Sequence, residues 1–114
     1  MPKPPPALSA LDDLIQARLA DPDFTVQAMA ESLEISPRQL QRHTRRAAGL
    51  SPRELLTAAR LSCAHELLRR GRYATVAEVA AAVGWTPNHL SRTYAEAFGR
   101  PPSRELRTNT NSHN

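Results

Sequence analysis

The segment TVQAMAESLEISPRQL (residues 25–40) returns fifty residues later as TVAEVAAAVGWTPNHL (residues 75–90), and this repeat decides the fold. Laid over each other, Thr25 meets Thr75, Val26 meets Val76, Met29 meets Val79, Ala30 meets Ala80 and Leu33 meets Val83. Further on, Ile35 meets Trp85, Ser36 and Pro37 meet Thr86 and Pro87, Leu40 meets Leu90, and Arg42 meets Arg92. Gly49 and Pro52 meet Gly99 and Pro102. Start signals, apolar positions and terminators that recur in step mark a duplicated structural unit.

Each copy reads as a short helix, a tight turn and a longer capped helix, the sequence form of a helix-turn-helix. In the first copy Thr25 opens a helix whose inner face is Val26, Met29, Ala30 and Leu33. Ser36 then caps a second helix, with Pro37 in its first turn and Gln39 placed to close a capping box. That helix runs to Ala48 and stops at Gly49. In the second copy Thr75 and Glu78 cap a helix lined by Val76, Val79, Ala80 and Val83, and Thr86-Pro87 starts another that ends at Phe98-Gly99. Ala30 and Ala80 are small where two helices must cross closely, and Leu40 and Leu90 pin the second helix against the first.

Outside the repeat, Ser9 and Asp12 predict a capped first helix running to about Ala20, with Leu11, Leu14, Ile15 and Leu19 as its apolar stripe. Ser51-Pro52-Arg53-Glu54 launches the longest helix, to about Arg70, with apolar positions at Leu56, Ala59, Leu61, Ala64, Leu67 and Leu68. A short last helix begins near Pro102. Met1 to Pro6 reads as a disordered lead-in and Thr108 to Asn114 as a frayed polar tail. No sustained alternation of β-branched or aromatic residues suggests a sheet. The expected fold is all-α, about seven helices, with two helix-turn-helix subdomains at 8–51 and 71–108 joined by a linking helix at 52–70.

Composition narrows the function. The 114 residues are 40% hydrophobic and 23% charged, in the range of a globular chain. With five aromatic residues, the core must be built mainly from Leu, Ala and Val. Cys63 is the only cysteine, and His43, His65, His89 and His113 match no zinc spacing, so neither an internal disulfide nor a metal site is expected. Cys63 reads as a small buried hydrophobe, and His43 and His65 as residues of the core edge or surface. No general base, nucleophile or metal cluster comes together, so no enzyme activity and no cofactor are expected. No apolar run approaches a membrane span.

The net charge of +4 is unevenly spread. Residues 1–35 carry two basic and six acidic groups, residues 36–72 nine arginines against Glu54 and Glu66, and residues 73–114 four arginines against three glutamates. A basic middle points to a polyanion. On the second helix of the first copy, the face left open by Leu40 offers Arg38, Gln41, Arg42, Arg45 and Arg46; in the second copy it offers Asn88, His89, Ser91 and Arg92, beside the acidic Glu96. Arginine can bridge O6 and N7 of guanine, and Gln or Asn can do the same on adenine, so these faces suit the major groove of duplex DNA. Eighteen or so helical residues between the copies span roughly 27 Å, against about 34 Å for one turn of DNA. One chain would then cover an asymmetric site.

The segments AESLEISPRQLQR (30–42), AAGLSPRELLTAARLSCAHELL (47–68) and VAEVAAAVGWTPNHLSRTYAEAFGRPPSRELR (76–107) resemble the DNA-binding domain of the arabinose-regulator (AraC/XylS-type) family of bacterial transcription factors. The resemblance covers about Leu8 to Arg107 and extends to stand-alone members of the family. It implies seven helices, base reading by Arg38, Gln41 and Arg42 in the first helix and by Asn88, His89, Ser91 and Arg92 in the second, and a flanking groove or phosphate contact at Arg45. It also implies promoter regulation, activation of transcription, and RNA polymerase as a further partner. The chain departs from the family pattern at Thr44, Leu90 and Ala95-Glu96 and in its 102–107 ending. The expected protein is a cytoplasmic, nucleoid-associated regulator that binds double-stranded DNA as a monomer. The alternatives are a reading module excised from a larger ligand-sensing or repair protein, and a helical adapter that does not bind DNA.

Overall fold

A computed structural model describes residues 8–111. It contains α1 (Leu8–Arg18), α2 (Val26–Ser32), α3 (Pro37–Ala48), α4 (Pro52–Arg70), α5 (Val76–Ala82), α6 (Pro87–Phe98) and α7 (Pro102–Asn111), with no strand among the described residues. The chain divides into two compact units, the first ending at Ala59 and the second beginning at Arg60. The long helix α4 is shared, its first half in one unit and its second half in the other. This is the all-α, seven-helix architecture that the repeat predicts. No helix among the described residues is long and apolar enough to cross a membrane.

In the first unit, α1 buries Leu11 and Ile15, and Leu19, just past its end, continues the same four-residue spacing. Phe24, Met29, Ala30, Leu40, Thr44 and Leu56 complete that core, with α2 packed on α3. Arg18 ties the end of α1 to α2: its guanidinium lies 4.7 Å from the centre of the Phe24 ring and donates a 3.1 Å hydrogen bond to Ser32 Oγ. In the second unit the core is Ala64, Leu68, Val79, Ala80, Val83, Leu90 and Tyr94. There α5 packs on α6, and α7 packs on both. Buried Pro102 begins α7, and Arg100 pairs with Glu105 beside it.

The turn between the paired helices is the same in both units. The Ile35 amide donates to the Ala30 carbonyl at 3.1 Å, and the Trp85 amide to the Ala80 carbonyl at 2.9 Å. Each turn needs one left-handed residue: Gly84 at φ 78° in the second unit, and Glu34 at φ 60° in the first. A side chain at such a φ carries a steric cost that glycine avoids.

Several expectations are corrected. Ser9 lies within α1 and does not cap it, because helical backbone already includes Leu8. Leu14, Val26, Leu33 and Val76 are half-buried, so the cores are narrower than the apolar pattern suggests. The buried stripe of α4 is Pro52, Leu56, Arg60, Ala64 and Leu68, a strict four-residue period that passes through an arginine. Ala59, Leu61 and Leu67 flank it half-buried. Cys63 is also half-buried, and burial pushes its thiol pKa up. The helical backbone of α7 continues to Asn111, into the stretch read as a frayed tail. The proposed lead-in at Met1 to Pro6 lies outside the described residues.

Candidate nucleic-acid interface

The first candidate face is set by how α3 starts and what it buries. Ser36 Oγ accepts from the Gln39 amide at 3.1 Å, while Gln39 Oε1 accepts from the Ser36 amide at 2.9 Å, a closed capping box. Pro37 occupies the first turn, where a missing N–H costs nothing. At the far end Gly49 closes the helix in a left-handed conformation. Leu40 and Thr44, one turn apart, are the buried residues of α3. The Thr44 hydroxyl, inside a core, is satisfied by donating to the Gln41 carbonyl at 3.2 Å.

With that side fixed inward, Arg38, Gln41, Arg42, Arg45 and Arg46 are all exposed. Their spacing of three, four, seven and eight residues from Arg38 gathers them on one stripe away from Leu40 and Thr44. Four guanidinium groups and one amide are thus displayed by a rigid element. Arg45 has an acidic neighbour: its guanidinium is 3.9 Å from Glu54 Oε1. The same carboxylate oxygen accepts from the Ser51 amide at 2.8 Å, and Ser51 Oγ accepts from the Glu54 amide. The hydrogen bonds with the Ser51 backbone and side chain hold the Glu54 carboxyl below its ordinary pKa, with Arg45 adding a smaller effect. Both partners are exposed, so this pair is weak.

A concavity of about 520 Å³ opens beside the stripe, lined by Val26, Pro37, Arg38, Gln41, Ser51, Pro52 and Arg53. It lies where the starts of α2, α3 and α4 meet. Arg53 is absent from the sequence-based candidates. The signal for it was present, since Ser36-Pro37-Arg38 and Ser51-Pro52-Arg53 are the same capping device with arginine in the same place.

The second candidate face has the same frame and different chemistry. Thr86 Oγ1 accepts from the His89 amide at 3.2 Å, Pro87 fills the first turn, Gly99 ends α6, and Leu90 and Tyr94 are buried one turn apart. Tyr94 fills the place that Thr44 holds in the first unit. Its hydroxyl lies 2.8 Å from His65 Nδ1 on α4, and burial is the main reason its pKa is raised. Phe98 stacks on His65 at 4.7 Å. Asn88 and Arg92 are exposed, whereas His89 and Ser91 are half-buried. The repeat explains His89, which occupies the place of the capping residue Gln39, and its ring meets the edge of Trp85 at 4.7 Å. Asn88, Ser91, Arg92 and Glu96 stand where Arg38, Gln41, Arg42 and Arg46 stand in the first unit. Among the described residues, no group of three or more His, Cys, Asp or Glu could hold a metal ion.

No curated protein matches the chain. Among solved structures, it is similar to the C-terminal domain of AraT, a response regulator from Geobacillus stearothermophilus, at 31% identity and a TM-score of 0.82, covering 91% of this chain and 86% of that one. A probable AraC family transcriptional regulator from Rhodopseudomonas palustris is 28% identical with a TM-score of 0.73, over 89% of this chain and 94% of that one. The DNA-binding domain of AdpA, a global transcriptional factor solved in complex with a target DNA, is 25% identical with a TM-score of 0.80, over 89% of this chain and 90% of that one. The relatives therefore include response-regulator C-terminal domains as well as AraC-type regulators. A model of the helix-turn-helix domain matches residues 29–108, which takes in the first copy of the repeat from Met29 onward and the whole of the second, and the chain belongs to that family.

Proposed function

We propose that this chain is a sequence-specific double-stranded DNA-binding regulator of transcription, of the AraC/XylS type, acting as an activator. The observation that carries the proposal is the α3 stripe: Arg38, Gln41, Arg42, Arg45 and Arg46 exposed together, opposite buried Leu40 and Thr44. Arg38, Gln41 and Arg42 have the donors to read base edges, while Arg45 and Arg46, in the last turn, suit phosphates. In α6, Asn88, Ser91 and Arg92 form the weaker reader, with His89 at its margin. The likeness to a domain solved on its target DNA supports the same use of the fold here. In this reading one chain binds an asymmetric promoter site in the major groove as a monomer, within the bacterial cytoplasm, and presents RNA polymerase with a further surface.

The test is selection of bound duplexes from a random pool, followed by titration of the selected and scrambled duplexes at matched salt. The expected result is enrichment of one sequence, bound about 10³-fold or more tightly than scrambled DNA. A chain that ignores duplex DNA even at low salt would sink the proposal.

A further inference from the structure

We infer that Arg53, on α4 and outside the candidate reading helix, grips a backbone phosphate of the duplex and so sets the register of α3 in the groove. The inference rests on the DNA-binding reading above. Arg53 and Arg38 line one concavity, together with Gln41 and Ser51. Both arginines are exposed, and among the described residues neither is paired with a carboxylate. Glu54, the adjacent acid, does not line the concavity; its carboxylate is taken up by the Ser51 amide and by Arg45. Pro37 and Pro52 lack N–H groups, and the Gln39 and Glu54 amides already donate to Ser36 and Ser51, so few backbone donors remain at these helix starts and the guanidinium groups are the main ones. Two unpaired guanidinium groups beside one concavity fit a phosphate diester, which arginine can bind through two parallel hydrogen bonds.

The second unit supplies an internal control. Offset by fifty, Arg38 becomes Asn88 and Arg53 becomes Ser103, while Val26, Pro37 and Pro52 keep their identities as Val76, Pro87 and Pro102. The second unit therefore starts the corresponding helices without the arginines. Arg53 is a positioning residue: it fixes where the helix lies, and the bases are read by others.

The experiment compares the parent with Arg53→Ala and Arg53→Lys on the selected duplex across a salt series. Loss of one phosphate contact flattens the log–log salt slope by about 0.9, so the affinity ratio of parent to Arg53→Ala should be about three- to four-fold larger at 50 mM than at 200 mM salt. Scrambled duplex should show the same change, and Arg53→Lys should restore most of the slope. Replacing backbone phosphates one at a time with neutral methylphosphonates should reveal one position that weakens the parent but costs Arg53→Ala nothing further. If Arg53→Ala keeps the parent's slope and affinity while Arg42→Ala loses discrimination, the phosphate grip is wrong and DNA reading stands. If the parent binds no duplex, both fall together.

Discussion

The Tyr94 hydroxyl and His65 Nδ1 lie 2.8 Å apart, joining α6 to the second half of α4 within one unit. Tyr94 is fully buried and His65 half-buried, so each polar atom has its partner where water is scarce. Tyr94→Phe should keep the packing and remove the bond, costing about 1 kcal/mol in denaturant unfolding. A pH dependence follows from the raised Tyr94 pKa, whose first cause is burial, with Glu105 adding to it and Arg100 opposing it. A phenol that ionises later in the folded state than in the unfolded one stabilises in full below its ordinary value of 10.0. That stability then fades as pH climbs toward the folded value. Unfolding followed above pH 10 should show a steeper loss for the parent than for Tyr94→Phe; identical curves would remove Tyr94 as the cause.

In the proposed reading, α3 and α6 should differ in weight. Arg42→Ala is expected to lose ~1–3 kcal/mol of discrimination between selected and scrambled duplex. Arg92→Ala should lose less, because its helix carries Glu96 where α3 carries Arg46. Equal losses on both duplexes for Arg42→Ala would mean that Arg42 contacts phosphate only, and a reversed order of the two variants would overturn the ranking.

Glu54 sits 3.9 Å from Arg45, so in the proposed reading its negative charge opposes the approach of DNA to that arginine. Glu54→Gln removes the charge while leaving a carbonyl oxygen to accept from the Ser51 amide. Its affinity for scrambled duplex should rise several-fold at low salt, with a steeper salt dependence of roughly one further charge. Glu54→Ala should show the same rise in binding and also weaken the start of α4 by about 1 kcal/mol. Unchanged binding in both would show that the ion pair has no bearing on DNA.

The left-handed Glu34 is a site of local strain. Glu34→Gly should stabilise the first unit by ~0.5–1 kcal/mol, the steric relief exceeding glycine's extra entropy when unfolded. The reverse change at the equivalent turn, Gly84→Ala, should destabilise by about 1 kcal/mol. Thermal unfolding of the two variants checks both signs.

The frame of this protein was legible because its signals are local. Thr25, Ser36, Thr75 and Thr86 accept from the third amide of their helices, as short polar residues before an apolar pattern are expected to do. Buried Leu40 and Leu90, and the small Ala30 and Ala80, follow from the repeat. Features that depend on tertiary surroundings were less visible. Arg60 is not among the apolar positions that mark the long helix, yet it falls on the buried stripe of α4, where helical geometry outweighs side-chain type. Thr44 and Tyr94 fill one position in two cores with side chains of very different size, which no local pattern dictates. The stretch after Arg107 is polar and a weak helix former, yet the backbone of α7 stays helical to Asn111. The α3 stripe was readable from its spacing alone, whereas Arg53, although it repeats the Ser-Pro-Arg start of α3, belongs to another helix and shows its place beside Arg38 only in the folded chain.

The closed capping box at Ser36 and Gln39 gives α3 and α6 unequal footing. The opening turn of α3 is latched from both directions, which fixes the backbone from which its side chains project. That of α6 is latched from one direction, because His89 turns to Trp85 where Gln39 turns back to Ser36. If α3 and α6 both meet DNA as proposed, unequal helix starts of this kind let a protein commit on a few base pairs and still tolerate variation in the rest of its site.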